Sequence, residues 1–323
     1  MRYLARRLSH GVLLLMGVSV LSFVFLQLAP GNFFDEMRLN PQISHQTVVE
    51  LYRQYGMDRP LPVRYFFWLK SVAKGQWGVS FAYNIPVAKL IWVRAGNTLL
   101  LTGTAAFLSW AIALIWGAFS ADRRNGLVDH ASTAVTSLLL ITPDLLLALG
   151  FLWIAVRTRW LHAGGMLSPT STSQNLSSHT KDLFLHLVAP VAVLVLGSLP
   201  ASLRHTRAAI LEALESPFIR AVRAHGIPRT RILFRHALPA AASPLISLFA
   251  LSLGSLLSAS LLVEVVMNWP GIGPLLLEAI MARDVYVVID VVMFSALLLV
   301  AGTLLGDVLL VAADPRIRTE RLG

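Results

Sequence analysis

The chain has 323 residues, of which 56% are hydrophobic and only 14% charged, where an ordinary soluble domain carries about 25% charged residues. A mean hydropathy of +0.67, concentrated in blocks long enough to cross ~30 Å of hydrocarbon, excludes a soluble globular protein and makes this an integral membrane protein. There is no cysteine, which excludes disulfides, thiol nucleophiles and thiolate metal sites; the net charge of +10 gathers beside the apolar blocks, as in a membrane protein setting its orientation.

In chain order, the first apolar block runs from about Leu8 to Ala29 behind Arg2, Arg6 and Arg7. It is long enough to span and lacks a small-x-small cleavage site, so it reads as an uncleaved first helix rather than a signal peptide. Residues 31–94 form a polar insertion with Pro41, Pro60, Pro62 and Pro86, in which two or three short helices are expected. The second span is placed at about Asn97 to Phe119. The third is placed at about Asp129 to Val156, with Pro143 inside it. A Ser/Thr-rich loop from Leu167 to Lys181 follows, then a fourth span at about Leu183 to Leu203. A basic loop occupies residues 204–238. The fifth and sixth spans are placed at about Pro239 to Val266 and Val285 to Ala312.

The expected fold is therefore all-α and polytopic, one transmembrane domain over 1–323 with six spans. Both termini lie on one side. That side carries 15 of the 27 lysines and arginines in roughly half the loop length, which places it in the cytoplasm.

The basic loop is longer than a connection needs and reads as ordered. Ser216 can cap free N–H groups and Pro217 suits the first turn of a helix. Phe218 to His225 continue it. Gly226 can take the left-handed position that ends it, and Pro228 blocks continuation. A second helix follows from about Arg229 to His236. A basic anchor on anionic lipid, a DNA-binding helix-turn-helix and a docking helix for a cytoplasmic partner all fit this pattern. Being pinned between two spans disfavours the second, so no nucleic-acid partner is expected.

The segment resembles the cytoplasmic signature loop of ABC importer permeases: Glu-Ala-Ala, three residues, Gly, nine residues, then Ile-x-Leu-Pro. Here Arg220, Ala221 and Val222 stand at the triplet, Gly226 at the glycine, and Leu238-Pro239 at the end. Arginine in place of glutamate is similar to the dipeptide, oligopeptide and nickel permeases. Leu28-Ala29-Pro30-Gly31, Tyr55-Gly56-Met57-Asp58-Arg59-Pro60, Asn97-Thr98-Leu99, Asn268-Trp269-Pro270-Gly271-Ile272-Gly273 and Asp314-Pro315-Arg316-Ile317-Arg318 resemble segments of the same subfamily in the same order.

The resemblance implies a permease subunit of an ATP-driven importer in a bacterial inner membrane. Such a chain pairs with a second permease, docks on ATPase subunits, two per assembly, and receives substrate from a periplasmic or lipid-anchored binding protein. Pro217, Phe218, Arg220, Ala221, Arg223, Ala224, Gly226, Leu238 and Pro239 are then the ATPase-coupling residues. The sequence has no phosphate-binding loop of the Gly-x-x-x-x-Gly-Lys-[Ser/Thr] type, so ATP and Mg would sit on the partner ATPase and this chain is expected to be no enzyme. The alternative is a secondary transporter or channel.

Acidic residues inside spans are costly and usually face a cavity or a partner. Asp144, after Pro143, is expected to meet a cationic substrate group or to be satisfied within the bundle. Glu264 and Asp290, nearer span ends, are candidates for gating, interface or simple boundary hydration. These three are the substrate-path candidates. The histidines show no His-x-x-x-His spacing, and no metal site is expected.

Overall fold

In the computed structural model, residues 2–28, 31, 33–39, 42–158, 161–162, 164–168 and 176–313 are described. Ala29, Pro30 and the tail motif at 314–318 lie outside them, as do residues 169–175 of the Ser/Thr-rich loop. Among the described residues the chain is helical with no strand, one isolated bridge between Val79 and Pro86 apart. Among the described residues, five helices are long and apolar enough to cross a membrane: α1 (Arg2–Leu28), α5 (Val87–Asp122), α8 (Leu176–Glu215), α12 (Ala242–Val266) and α14 (Val285–Ala313).

The expected third span is a bent pair, α6 (Leu127–Ile141) and α7 (Asp144–Thr158), turning by 95°. Pro143 explains the break, because it has no N–H and disfavours a helical residue before it; Thr142 is extended, with ψ 113°. Each half has 15 residues, or ~22 Å at the usual helical rise, too short to span alone.

The chain divides into two compact units. The first comprises residues 1–97 and 270–298. The insertion holds three short helices, α2 (Phe33–Arg38), α3 (His45–Gln54) and α4 (Leu61–Ala73). Phe23 of α1 packs on Tyr65 and Trp68 of α4, with centroids 5.2 and 5.1 Å apart, and Ser19 bonds Tyr65 at 2.9 Å. Asp284, which follows α13 (Ile272–Met281), accepts from Ser80 Oγ at 2.6 Å and Ala82 N at 3.0 Å, fixing the turn before α5.

The second unit comprises residues 98–269 and 299–323. Its centre is α8, which packs against α6, α7 and α12. The helix runs past the predicted end at Leu203 to Glu215, so residues 204–215 are helix and the connection to α12 begins at Ser216. The reason lies in what polar residues do there. Leu203 and Ile210 are buried, and Arg207 reaches Asp129 of α6 with two bonds, 2.5 and 2.8 Å, while Ser120 Oγ and Asn125 N donate to the same carboxylate. A paired, bidentate arginine continues a helix without leaving a buried charge alone.

Where α12 meets the end of α14, small residues face one another. A Cβ at Gly306 would overlap that of Ala250, and one at Gly254 would overlap the Leu299 side chain. Ala250-x-x-x-Gly254 and Gly302-x-x-x-Gly306 are the small-residue spacing that lets membrane helices touch backbone to backbone.

Candidate coupling and translocation site

The 216–241 segment is built as its residues demand. Ser216 caps α9 (Pro217–Ala224), its side chain accepting from Ile219 N at 3.3 Å, and Pro217 takes the first turn. His225 closes the helix and Gly226 follows at φ +74°, the left-handed position, with Gly226 N bonding Arg223 O at 3.1 Å. The chain then forms α10 (Arg229–Ile232), a π turn over Leu233–Ala237, and α11 (Leu238–Ala240).

One face of α9 is buried and the other open. Ile219 is 0% exposed and packs with Ile210, Ile232, Leu233, Ala237 and Leu245, so the helix is fastened to α8 and α12 through one apolar cluster. Phe218, Arg220, Ala221, Arg223, Ala224 and Gly226 are exposed. Arg220 and Arg223, three apart, share a face. Leu238 is half-buried against the cluster and Pro239 is exposed, so these two join the segment to α12 rather than extend the α9 face. Around it, Arg229 is held by Asp122 at 2.7 Å and Arg124 by Glu215 at 2.9 Å, both at the surface. The segment is thus fixed to the bundle beneath and presents cations and two phenylalanine rings, Phe218 and Phe234, outward.

The three intramembrane acids have different settings. Asp144 opens α7 at the 95° break and lines a cavity of about 110 Å³ with Gly197, Ser198, Ser255 and Ala259. Gly197 lets that carboxylate come close: a Cβ would lie 2.5 Å from Asp144 Oδ1, and the carboxylate would have to turn away. Glu264, near the end of α12, is 0% exposed, and its carbonyl takes Trp269 N at 2.8 Å. Asp290, in α14, is 2% exposed and accepts from Trp68 Nε1 at 2.9 Å. Neither is hydrated as a boundary residue would be. Asp290 instead holds α4 through the packed Trp68 side chain.

The fold also brings together residues that local spacing leaves apart. His162, Asp182 and His186 each offer a ligand atom within 4.8 Å of the others. The expectation of no metal site rested on histidine spacing along one helix. That spacing does not register Asp182-x-x-x-His186 on α8, with His162 supplied from the preceding connection. That i, i+4 pair was the available signal.

Residues 1–102 match the N-terminal family of binding-protein-dependent transport system membrane components, and residues 113–319 match the family of binding-protein-dependent transport system inner membrane components. The chain belongs to this family. It is a multi-pass membrane permease and not an enzyme, and the secondary transporter or channel reading is not favoured.

The permease is 32% identical over 317 residues to the oligopeptide transport system permease protein AppB of Bacillus subtilis (strain 168), covering 98% of each chain. It is 31% identical over 336 residues to the di/tripeptide transport system permease protein DppB of Pseudomonas aeruginosa (strain UCBPP-PA14), covering 99% of each. Its fold is similar to a chain of the inward-facing MetNI methionine ABC transporter, with TM-score 0.57 and 19% identity over 70% of this chain and 97% of that one.

Proposed function

We propose that this permease forms half of the translocation path of an ATP-driven peptide importer. It works beside a second permease and two ATPase subunits, with a periplasmic or lipid-anchored binding protein delivering substrate. The names of its relatives support peptides as cargo. The single observation that carries the coupling role is α9: a capped, glycine-terminated helix with Ile219 buried beneath and Phe218, Arg220 and Arg223 presented outward. In this reading α9 docks on an ATPase that holds ATP and Mg, and the 216–241 segment and both termini face the cytoplasm of an inner membrane. ATP-driven closure of the ATPases pushes α9. The apolar cluster around Ile219 passes that push to α8 and α12, and the path alternates between inward- and outward-open.

Asp144 is the intramembrane acid that fits a substrate-path role, because it faces a cavity at a helix break rather than the packed interior. Its carboxylate suits a peptide amino terminus. Glu264 and Asp290, buried within their own units, act on the path only by positioning α12 and α14.

The test is a mild-detergent pull-down of the wild-type chain beside Arg220→Glu, Arg223→Glu. Wild type should retain ATPase subunits and a second permease; the double variant should lose only the ATPases. Failure of wild type to retain any ATPase while folded would overturn the reading.

A further inference from the structure

We propose that His162, Asp182 and His186 form a three-ligand site for one divalent transition cation of the Zn²⁺ class. The site lies at the opposite end of α8 from α9.

Two imidazoles and one carboxylate are the donor set that suits Zn²⁺, Ni²⁺ or Cu²⁺ rather than Mg²⁺ or Ca²⁺. One ligand atom from each residue lies within 4.8 Å of the others. Zn–N and Zn–O bonds of ~2.0–2.2 Å set ligand atoms ~3.4 Å apart in a tetrahedron, so an ion would shorten these separations by about 1.4 Å at most.

The surrounding bonds point the same way. His186 Nδ1 lies 2.8 Å from the Asp182 main-chain carbonyl. A carbonyl can only accept, so in this bond Nδ1 is the donor and Nε2 is the nitrogen left for a cation; the Asp182 carboxylate lies 3.4 Å from the same Nδ1. The Asp182 carboxylate is oriented by Ser168, whose N and Oγ donate to it at 2.7 and 2.8 Å.

His162 supplies an independent observation. Its Nδ1 is buried with no hydrogen-bond partner, a costly state for a polar atom, while its ring sits 4.1 Å from that of His186. A cation held between the two residues would give that buried nitrogen a partner.

The ion would staple the connection between α7 and α8. Residues 161–168 already touch α12, through Gly165 N to Met267 O at 3.1 Å. With the ion bound, that connection is fixed to both α8 and α12.

The test uses the full-length chain, purified on a tag without histidine, stripped with chelator and titrated with Zn²⁺, and separately with Co²⁺ for its visible absorption. Wild type should retain about one Zn²⁺ per chain after desalting, show Co²⁺ bands of low coordination number, and unfold at higher temperature with Zn²⁺ than with chelator. His162→Ala, His186→Ala should lose all three. His162→Asn, carried in parallel in case the double variant does not fold, should lose retention while unfolding in chelator like wild type. Ser168→Ala should weaken Zn²⁺ about tenfold, the usual cost of removing a hydrogen bond that orients a metal ligand. His205→Ala, at an exposed position outside the cluster, should change nothing. Equal Zn²⁺ retention by wild type and His162→Asn overturns the proposal. So does a stability that ignores Zn²⁺ and follows pH alone, which would mean a proton rather than a metal joins His162 to Asp182.

Discussion

The two ends of α8 are finished in opposite ways. At its C-terminal end, α9 is attached through apolar contacts around Ile219 and leaves its charges facing outward. At its N-terminal end, the connection from α7 is attached through polar groups turned inward, with Asp182, Ser168, His162 and His186 gathered under partial or full burial. An apolar attachment is non-directional and tolerates small shifts. A hydrogen-bonded one is directional and holds one geometry. The first suits an element that must be pushed and the second an element that must be set.

Substitutions can break or sharpen that contrast. The largest effect is expected from Ile219→Ala, since truncating a fully buried isoleucine costs about 3 kcal/mol. It should expose the 216–228 segment to protease while leaving residues 161–168 as protected as before. Equal loss of protection at both ends would mean that α8 transmits the damage and that the two attachments are not separate.

Next comes Gly226→Val. A β-branched residue at φ +74° carries a strain of up to about 2 kcal/mol, although a Cβ there meets nothing within 4 Å. The variant should assemble with its ATPases yet transport several-fold less per ATP hydrolysed. Unchanged coupling would show that the exit angle of α9 is not what matters.

At the other end, Ser168→Ala removes a bond to a carboxylate, worth about 1.5 kcal/mol. It should lower the thermal midpoint in chelator without altering ATPase retention. The smallest effect is expected from Ser216→Ala, about 1 kcal/mol for a lost N-cap, seen as faster amide exchange in α9 alone. If Ser216→Ala proves costlier than Ile219→Ala, the apolar attachment is not the main one.

What the sequence made legible follows the range of the physics involved. Ser216-Pro217, Gly226 and Pro228 act within a few residues, and α9 begins and ends where they say. The apolar blocks place the membrane helices because length alone decides them. Arg204 and Arg207 looked like the start of a loop because hydropathy falls there. They continue α8 because Asp129, 78 residues away, pairs with Arg207. The break at Pro143 was visible as a proline but not as a 95° turn, since many membrane prolines only kink a helix. His162 and His186 meet through the fold of a loop, which no helical spacing records.

The close seam between α12 and α14 carries a last consequence. Gly306 meets Ala250 with no longer side chain between them, while Gly254 and Gly302 seat the Leu299 and Leu253 side chains. A joint fitted that closely has few intermediate settings. When the permease changes shape, α12 and the end of α14 should therefore travel as a single body, and the break at Thr142 and Pro143 is a place where bending can be taken up.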